Sequence, residues 1–362
     1  MKDVISLGIG EPDFDTPWHV REFTVFALEH GATHYTSNMG LLELRRAIAL
    51  YVEKTFRASY DPEKEILITV GVSEALDLAL RALLNPGDEV LYHEPCYVSY
   101  RADVVLAHGR PLTVETRRDN DFRLTRAMLE RQATPRTKLL LLNFPNNPTG
   151  ATLRKEDLEE IAAFARERDL LVITDEIYAE LTHDGEHTSI ASLPGMKERT
   201  IFLHGFSKAW AMTGFRLGYA CAPPELTEAM MKVHQYTMLC APTMSQKAAI
   251  EALTKPETDV KVMADEYRRR RNLLVRGFED IGLPCSRPGG AFYAFPSIGH
   301  LGISSRDFAL KLLEEEKVAV VPGTAFGACG EGFVRCAYAT SMDNLQEAMK
   351  RMGRFVKRLK NS

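Results

Sequence analysis

Short, continuous apolar runs alternate along the chain with stretches in which apolar residues recur at helical spacing. Residues 65–70 predict a strand followed by Gly71, and residues 73–84 an amphipathic helix, with Ala75, Leu76, Leu78, Ala79, Ala82 and Leu83 on its apolar face. Asn85-Pro86-Gly87-Asp88 stops that helix and residues 89–92 begin a second strand. Residues 138–143 predict a buried strand that runs into the breaker Pro145-Asn146-Asn147-Pro148-Thr149-Gly150. Residues 153–168 predict a helix. Two more apolar runs follow: 170–174, ending in Asp175-Glu176, and 200–204, ending before Gly205-Phe206-Ser207-Lys208.

Apolar strands without internal alternation, separated by helices, indicate a mostly parallel sheet covered on both faces. Beyond residue 250 the pattern changes. Residues 265–280 form a long basic helix, and residues 290–295 and 333–338 read as strands of a mixed α+β unit. A domain change near residue 250 is therefore expected.

The charge balance excludes some classes of function. Lys plus Arg number 45 and Asp plus Glu 49, a net charge of −4, which gives no general electrostatic footing for nucleic acid or an anionic membrane. No apolar run approaches the ~18 residues of a spanning helix. The first residues lack the apolar core of a signal peptide. The six cysteines, at 96, 221, 240, 285, 329 and 336, form no CxxC pair and no disulfide framework, so a reducing cytoplasm is expected.

In an open α/β sheet, ligands gather beyond the carboxyl ends of the strands, and several polar residues fall there. Gly71-Val72-Ser73 opens a helix, where free N–H groups suit a phosphate; Ser73 equally reads as an ordinary cap. Asn147, held in a turn between prolines, is placed to present an amide, or is simply part of a turn-rich loop. Asp175 follows a buried strand and reads as a functional acid or as a surface carboxylate. Tyr178 shares its face if the chain turns helical there. Lys208, flanked by Ser207 and by apolar Phe206, Ala209 and Trp210, fits a desolvated, nucleophilic amine. Arg216 and Arg335 lie in apolar stretches and call for anionic partners. Phosphate donors, an acid, an amide, an amine and two arginines form the inventory that suits pyridoxal phosphate.

The segment from Ser207 to Gly218 closely resembles the lysine signature of class I/II aminotransferases, pyridoxal-phosphate enzymes of fold type I. Gly10-Glu11-Pro12-Asp13-Phe14, Tyr35-Thr36 with Gly40 and Leu44-Arg45, Asn147-Pro148-Thr149-Gly150, Asp175-Glu176-Ile177-Tyr178 and Gly332-Phe333-Val334-Arg335 resemble other motifs of the family, in family order. The resemblance implies an aspartate-aminotransferase-like α/β fold with a mostly parallel seven-stranded sheet. It also implies a large cofactor-binding domain over 33–250 and a small domain made of 251–362 with the N-terminal segment 1–32. Lys208 would carry the cofactor as a Schiff base and then move the 1,3-proton. Asp175 would bond the pyridine nitrogen, Tyr178 and Asn147 the phenolic oxygen, and Tyr97 would stack on the ring. Val72, Ser73, Ser207 and Arg216 would hold the phosphate, joined by Tyr35 of the partner in a homodimer. Arg335 would bind the substrate α-carboxylate, helped by Asn147 and Gly10. No metal is implied.

The implied activity is transfer of an amino group from an L-amino acid to a 2-oxo acid such as 2-oxoglutarate by a ping-pong mechanism, with broad aspartate/aromatic use. N-acetyl-diaminopimelate as amino donor, a fold type I lyase and a non-catalytic cofactor-binding regulator stand as alternatives. Ser73 stands where some aspartate-specific relatives place a lysine, and residues 236–243 contain no arginine, so no anchor for a distal carboxylate is visible. Only four residues precede Ile5, where relatives commonly carry a longer segment, which either puts in doubt the N-terminal helix that packs at their dimer surface or marks a truncated start.

Overall fold

The computed structural model describes residues 3–255 and 258–361. Twelve strands are formed among them: β1 (Ile5–Ser6), β2 (Ile66–Thr69), β3 (Glu89–Glu94), β4 (Arg110–Glu115), β5 (Thr137–Asn143), β6 (Leu171–Asp175), β7 (Thr200–Gly205), β8 (Gly218–Cys221), β9 (Tyr293–Ala294), β10 (Val318–Ala319), β11 (Val321–Pro322) and β12 (Val334–Ala337). The helices are α1 (Trp18–Glu29), α2 (Leu42–Phe56), α3 (Gly71–Leu83), α4 (Ser99–Leu106), α5 (Arg126–Gln132), α6 (Lys155–Glu167), α7 (Pro224–Thr237), α8 (Thr243–Thr254), α9 (Thr258–Ile281), α10 (Ser305–Glu316) and α11 (Met342–Lys360).

Seven strands make one sheet in the order β2-β8-β7-β6-β5-β3-β4. Only β8 runs antiparallel to its neighbours, β2 and β7. The expected mostly parallel sheet is thus present. Its central strands are buried along their length because helices cover both faces, which is why β3 and β7 lack alternation. Each Leu, Ile or Val so enclosed contributes about 1.5–3 kcal/mol of burial.

The sequence pattern left β4 and β8 unmarked. β4 is an edge strand with a mostly half-exposed face, Arg110–Glu115, and carries little apolar signal. β8 is short and includes Gly218, where a Cβ would sit 2.6 Å from the Gly71 carbonyl carbon and the Val72 nitrogen. This glycine lets the first residues of α3 lie against the strand that follows Arg216.

A second body of structure is built mainly from α9, α10 and α11 around the small antiparallel sheet β11-β12-β9. The long basic helix is longer than the sequence pattern indicated and buries Met263, Tyr267, Leu274 and Phe278. β1 pairs in parallel with β10, so the N-terminal strand joins this body. The helix after it, α1, instead buries Val20 in the cluster formed with α2 and α8. The chain between them, residues 7–16, therefore passes over the carboxyl ends of the central strands. All six cysteines are free. Among the described residues no helix is long and apolar enough to cross a membrane.

Candidate active site

A cavity of about 530 Å³ opens at the carboxyl ends of β5, β6 and β7. Gly10, Val72, Ser73, Tyr97, Asn147, Asp175, Tyr178, Ser207, Lys208, Arg216 and Arg335 all line it. Residues spread over more than 300 positions of sequence are thus brought to one place. Tyr35 is the exception: it is 83 % exposed and lies outside the cavity.

Lys208 follows β7, and Nζ donates to the Gly10 carbonyl oxygen at 2.8 Å. Its amine also lies 5.8 Å from the Tyr178 ring centroid and 5.7 Å from that of Phe292. Burial among these rings lowers its pKa to about 8. Glu11 and Asp175 act against that shift, and Arg216 and Arg335 reinforce it. A substantial fraction of the amine is therefore neutral near pH 8, as a nucleophile requires.

Asp175 ends β6 and is buried. Burial raises its pKa, opposed by two hydrogen bonds. Oδ2 accepts from the Tyr100 hydroxyl at 2.7 Å, and Oδ1 from the Ile177 amide at 3.2 Å. The carboxylate is not on the surface, and the chain after it does not turn α-helical. It makes a tight turn through Tyr178 into a 3-10 turn at Ala179–Leu181, so Tyr178 reaches the cavity by that turn rather than along a helical face.

The helix α3 begins at Gly71 itself, with Val70 at the cap position and no side-chain cap bond. Ser73 lies inside the first turn and caps nothing, which removes its ordinary reading. Gly71 adopts φ +75°, and a Cβ there would lie 2.9 Å from Arg216 Nη2, so the glycine gives the guanidinium its seat at the helix start. Arg216 is exposed, contrary to the burial its apolar neighbours suggested. It takes a left-handed backbone, φ 51°, which turns its side chain out of the apolar segment, and Nη1 donates to the Thr213 carbonyl at 3.1 Å.

Arg335, in β12, is buried. Nη1 donates to Asn147 Oδ1 at 3.0 Å and Nη2 to the Gly8 carbonyl at 2.7 Å, while Nε has no hydrogen-bond partner among the described residues. The Asn147 backbone N–H in turn donates to Asn143 Oδ1 at 3.2 Å, and Asn143 Nδ2 to the Asp175 backbone carbonyl at 3.0 Å. The loop of prolines and asparagines is thereby tied to the acid.

Asp175, Arg216 and Arg335 are among the charged groups that line this cavity, and none of the three has an ion-pair partner among the described residues. Two of them are buried, where an unpaired charge costs several kcal/mol. A ligand bearing a cationic nitrogen and two separated anions would answer all three.

Tyr100, Tyr293 and Phe326 are among the lining residues that the sequence pattern does not single out. Tyr100 lies three positions beyond Tyr97 at the start of α4, and that spacing was its only signal. Tyr293 was read as one of several apolar strand residues. Phe326 closes the Arg335 side, its ring centroid 4.9 Å from the guanidinium carbon, from a 3-10 turn without periodicity.

Comparison with known proteins agrees with this geometry. Residues 2–352 match the family described as aminotransferase class I and II. The chain is 50 % identical over 363 residues to an aspartate aminotransferase of Pyrococcus abyssi, covering 99 % of this chain and 93 % of that one. It is 48 % identical to an aromatic-amino-acid aminotransferase 2 of Thermococcus litoralis at the same coverage. The crystal structure of an aromatic aminotransferase from Pyrococcus horikoshii superposes with a TM-score of 0.98, at 49 % identity, over 99 % of this chain and 97 % of that one.

Proposed function

Since the chain belongs to the class I and II aminotransferases and is an amino-acid aminotransferase of fold type I, we propose that it works with pyridoxal 5′-phosphate held in the cavity around Lys208. The observation that carries this is the set of charged groups without ion-pair partners. Asp175 fits the cationic pyridine nitrogen, Arg216 the phosphate and Arg335 a substrate carboxylate. The start of α3 with Val72 and Ser73, together with Ser207, offers further phosphate donors. Tyr97 would stack on the ring, and Tyr178 and Asn147 would bond the phenolic oxygen.

When bound, the cofactor supplies a ring that withdraws electrons from the substrate Cα. The chain's own groups supply the rest. Asp175 keeps a negative charge against the ring nitrogen, and the Tyr100 hydroxyl holds that carboxylate in place. Lys208, with its neutral amine, would hold the cofactor and would move the proton at the substrate Cα. Arg335 exchanges its contact with the Gly8 carbonyl for the substrate carboxylate, gripping it with two parallel N–H groups and orienting the Cα–H bond.

The donors proposed are aromatic amino acids together with aspartate or glutamate, and the acceptor is 2-oxoglutarate. Among the described residues, the cations lining the cavity are Lys208, Arg216 and Arg335. All three are engaged with cofactor or α-carboxylate, so nothing in this chain demands an acidic side chain. Arg21, a conceivable mobile anchor, pairs with Asp15 at 3.3 Å and lies over Trp18.

The active unit proposed is a cytoplasmic homodimer in which Tyr35 completes the partner's phosphate site. Supporting this, Tyr35 and Tyr236 are 83 % and 87 % exposed, and Met238 and Leu239 are also exposed, which suits a surface awaiting a second copy. In domain terms, 33–250 would carry the cofactor and 251–362 would form the small domain together with β1, whereas α1, expected there as part of 1–32, packs with α2 and α8 instead. Incubating the purified enzyme with single amino acids in the absence of acceptor tests the function: loss of the cofactor's visible absorbance with aromatic and acidic donors is expected. Release of ammonia and pyruvate without need of a 2-oxo acid would indicate a lyase instead.

A further inference from the structure

Tyr293 sits where three parts of the site meet. It lies in β9, is 1 % exposed and lines the cavity. Its hydroxyl is 2.8 Å from the Tyr178 hydroxyl. Its ring centroid is 4.6 Å from the Arg335 guanidinium carbon. A Cβ on Gly10 would fall 2.6 Å from the same hydroxyl, so the glycine in the Gly8–Glu11 segment makes room for this tyrosine.

A phenol hydroxyl has one proton to give and can also accept. Among the described residues, each of these two hydroxyls has the other as its hydrogen-bond partner. If Tyr178 gives its proton to Tyr293, it has none for a ligand. If Tyr178 gives its proton to a ligand oxygen, Tyr293 donates to Tyr178, its one acceptor among the described residues. The pair therefore has one polarity that serves a bound anionic oxygen.

We propose that Tyr293 is a positioning residue whose hydroxyl donates to Tyr178 and so aims the Tyr178 proton at the cofactor's phenolic oxygen, while its ring seats Arg335. This rests on the placement of Tyr178 given under the proposed function. It joins the residue that grips the substrate carboxylate to the residue that sets the electronics of the cofactor, through one side chain.

The test uses holoenzyme carrying Tyr293→Phe, Tyr178→Phe or both. The readout is the pH at which the bound cofactor changes its visible absorbance. A hydrogen bond given to the phenolic oxygen stabilises the deprotonated, more anionic form and lowers that pH; losing it raises the pH. Tyr178→Phe is expected to raise the midpoint by about one unit and Tyr293→Phe by about half a unit. The double variant should match Tyr178→Phe. Since Phe keeps the ring under Arg335, kcat should fall by about threefold to tenfold in Tyr293→Phe with KM for the amino donor nearly unchanged. The melting temperature of the cofactor-free variant checks that the fold is retained.

A midpoint that moves in Tyr178→Phe but not in Tyr293→Phe overturns the inference and leaves the placement of Tyr178 standing. So does an equal shift from Tyr293→Phe in the background of Tyr178→Phe. A midpoint that moves in neither removes Tyr178 from the phenolic oxygen, and the reading beneath the inference fails with it.

Discussion

Lys208 Nζ donates to the carbonyl oxygen of Gly10 at 2.8 Å, joining residues 198 positions apart. The Gly8 carbonyl, two residues earlier, accepts from Arg335, and the Glu11 carboxylate, one residue later, accepts from the Thr213 hydroxyl. One extended segment thus holds both cations that must meet the reactants. A backbone carbonyl accepts from each cation, and neither forms an ion pair among the described residues, so both are released to a ligand without breaking one.

The amine of Lys208 should be reactive at lower pH than an ordinary lysine. In cofactor-free protein its capture by an amine-specific reagent should be half-maximal near pH 8. Its folded-state pKa lies below the usual 10.5, so the charged form is disfavoured in the fold. The contribution to stability is therefore unfavourable below about pH 8 and is relieved as pH rises towards 10.5. A midpoint near 10.5 would show that the cavity does not desolvate the amine.

Asp175→Asn should retain the cofactor and lose activity by about 10²-fold or more, because an amide supplies no charge to hold a proton on the ring nitrogen. Tyr100→Phe should have a milder effect in the same direction. The lost hydrogen bond lets burial raise the carboxyl's pKa further, so activity should fall off on the acid side at a higher pH than in the parent. Turnover of Asp175→Asn close to the parent would reject the role.

These groups differ in how plainly the chain announces them. Asp175 and Lys208 end buried apolar runs, and a polar residue at the carboxyl end of a parallel strand is visible in the pattern. Tyr178 was marked by its spacing from Asp175, yet the turn that delivers it is stabilised by the Ile177 amide bonding Oδ1, which periodicity does not encode. Tyr293 and Tyr100 are legible only in three dimensions, since their hydroxyl partners lie 115 and 75 residues away. The strand β8 escaped notice because glycine at 218 answers to the backbone of Gly71 rather than to any local propensity. The exposure of Arg216 follows from a left-handed backbone that its sequence neighbours do not signal.

Arg335→Ala should weaken every amino donor by a similar factor, because the α-carboxylate is common to them all. Aromatic donors should lie within about tenfold of aspartate or glutamate in kcat/KM in the parent enzyme, as an apolar side chain gains on burial what an unpaired carboxylate loses. A thousandfold preference for aspartate over phenylalanine would require a cation delivered from outside the cavity lining.

Mixed dimers test the proposed sharing of Tyr35 between subunits. Combining Lys208→Ala with Tyr35→Phe subunits gives hybrids with one doubly altered site and one intact site. Their activity should exceed the weighted mean of the two parents. Activity that never rises above that mean would place Tyr35 within its own subunit's site or outside the site altogether.

The central claim is that Lys208 carries the cofactor, and it is open to direct chemical reading. Borohydride reduction of the holoenzyme, followed by digestion and peptide mapping, should leave the pyridoxyl group on the peptide containing Ser207-Lys208-Ala209, and the Lys208→Ala variant should fold but show no such label and no amino transfer. A pyridoxyl group on any other lysine, or stable labelling and turnover without Lys208, would contradict the account.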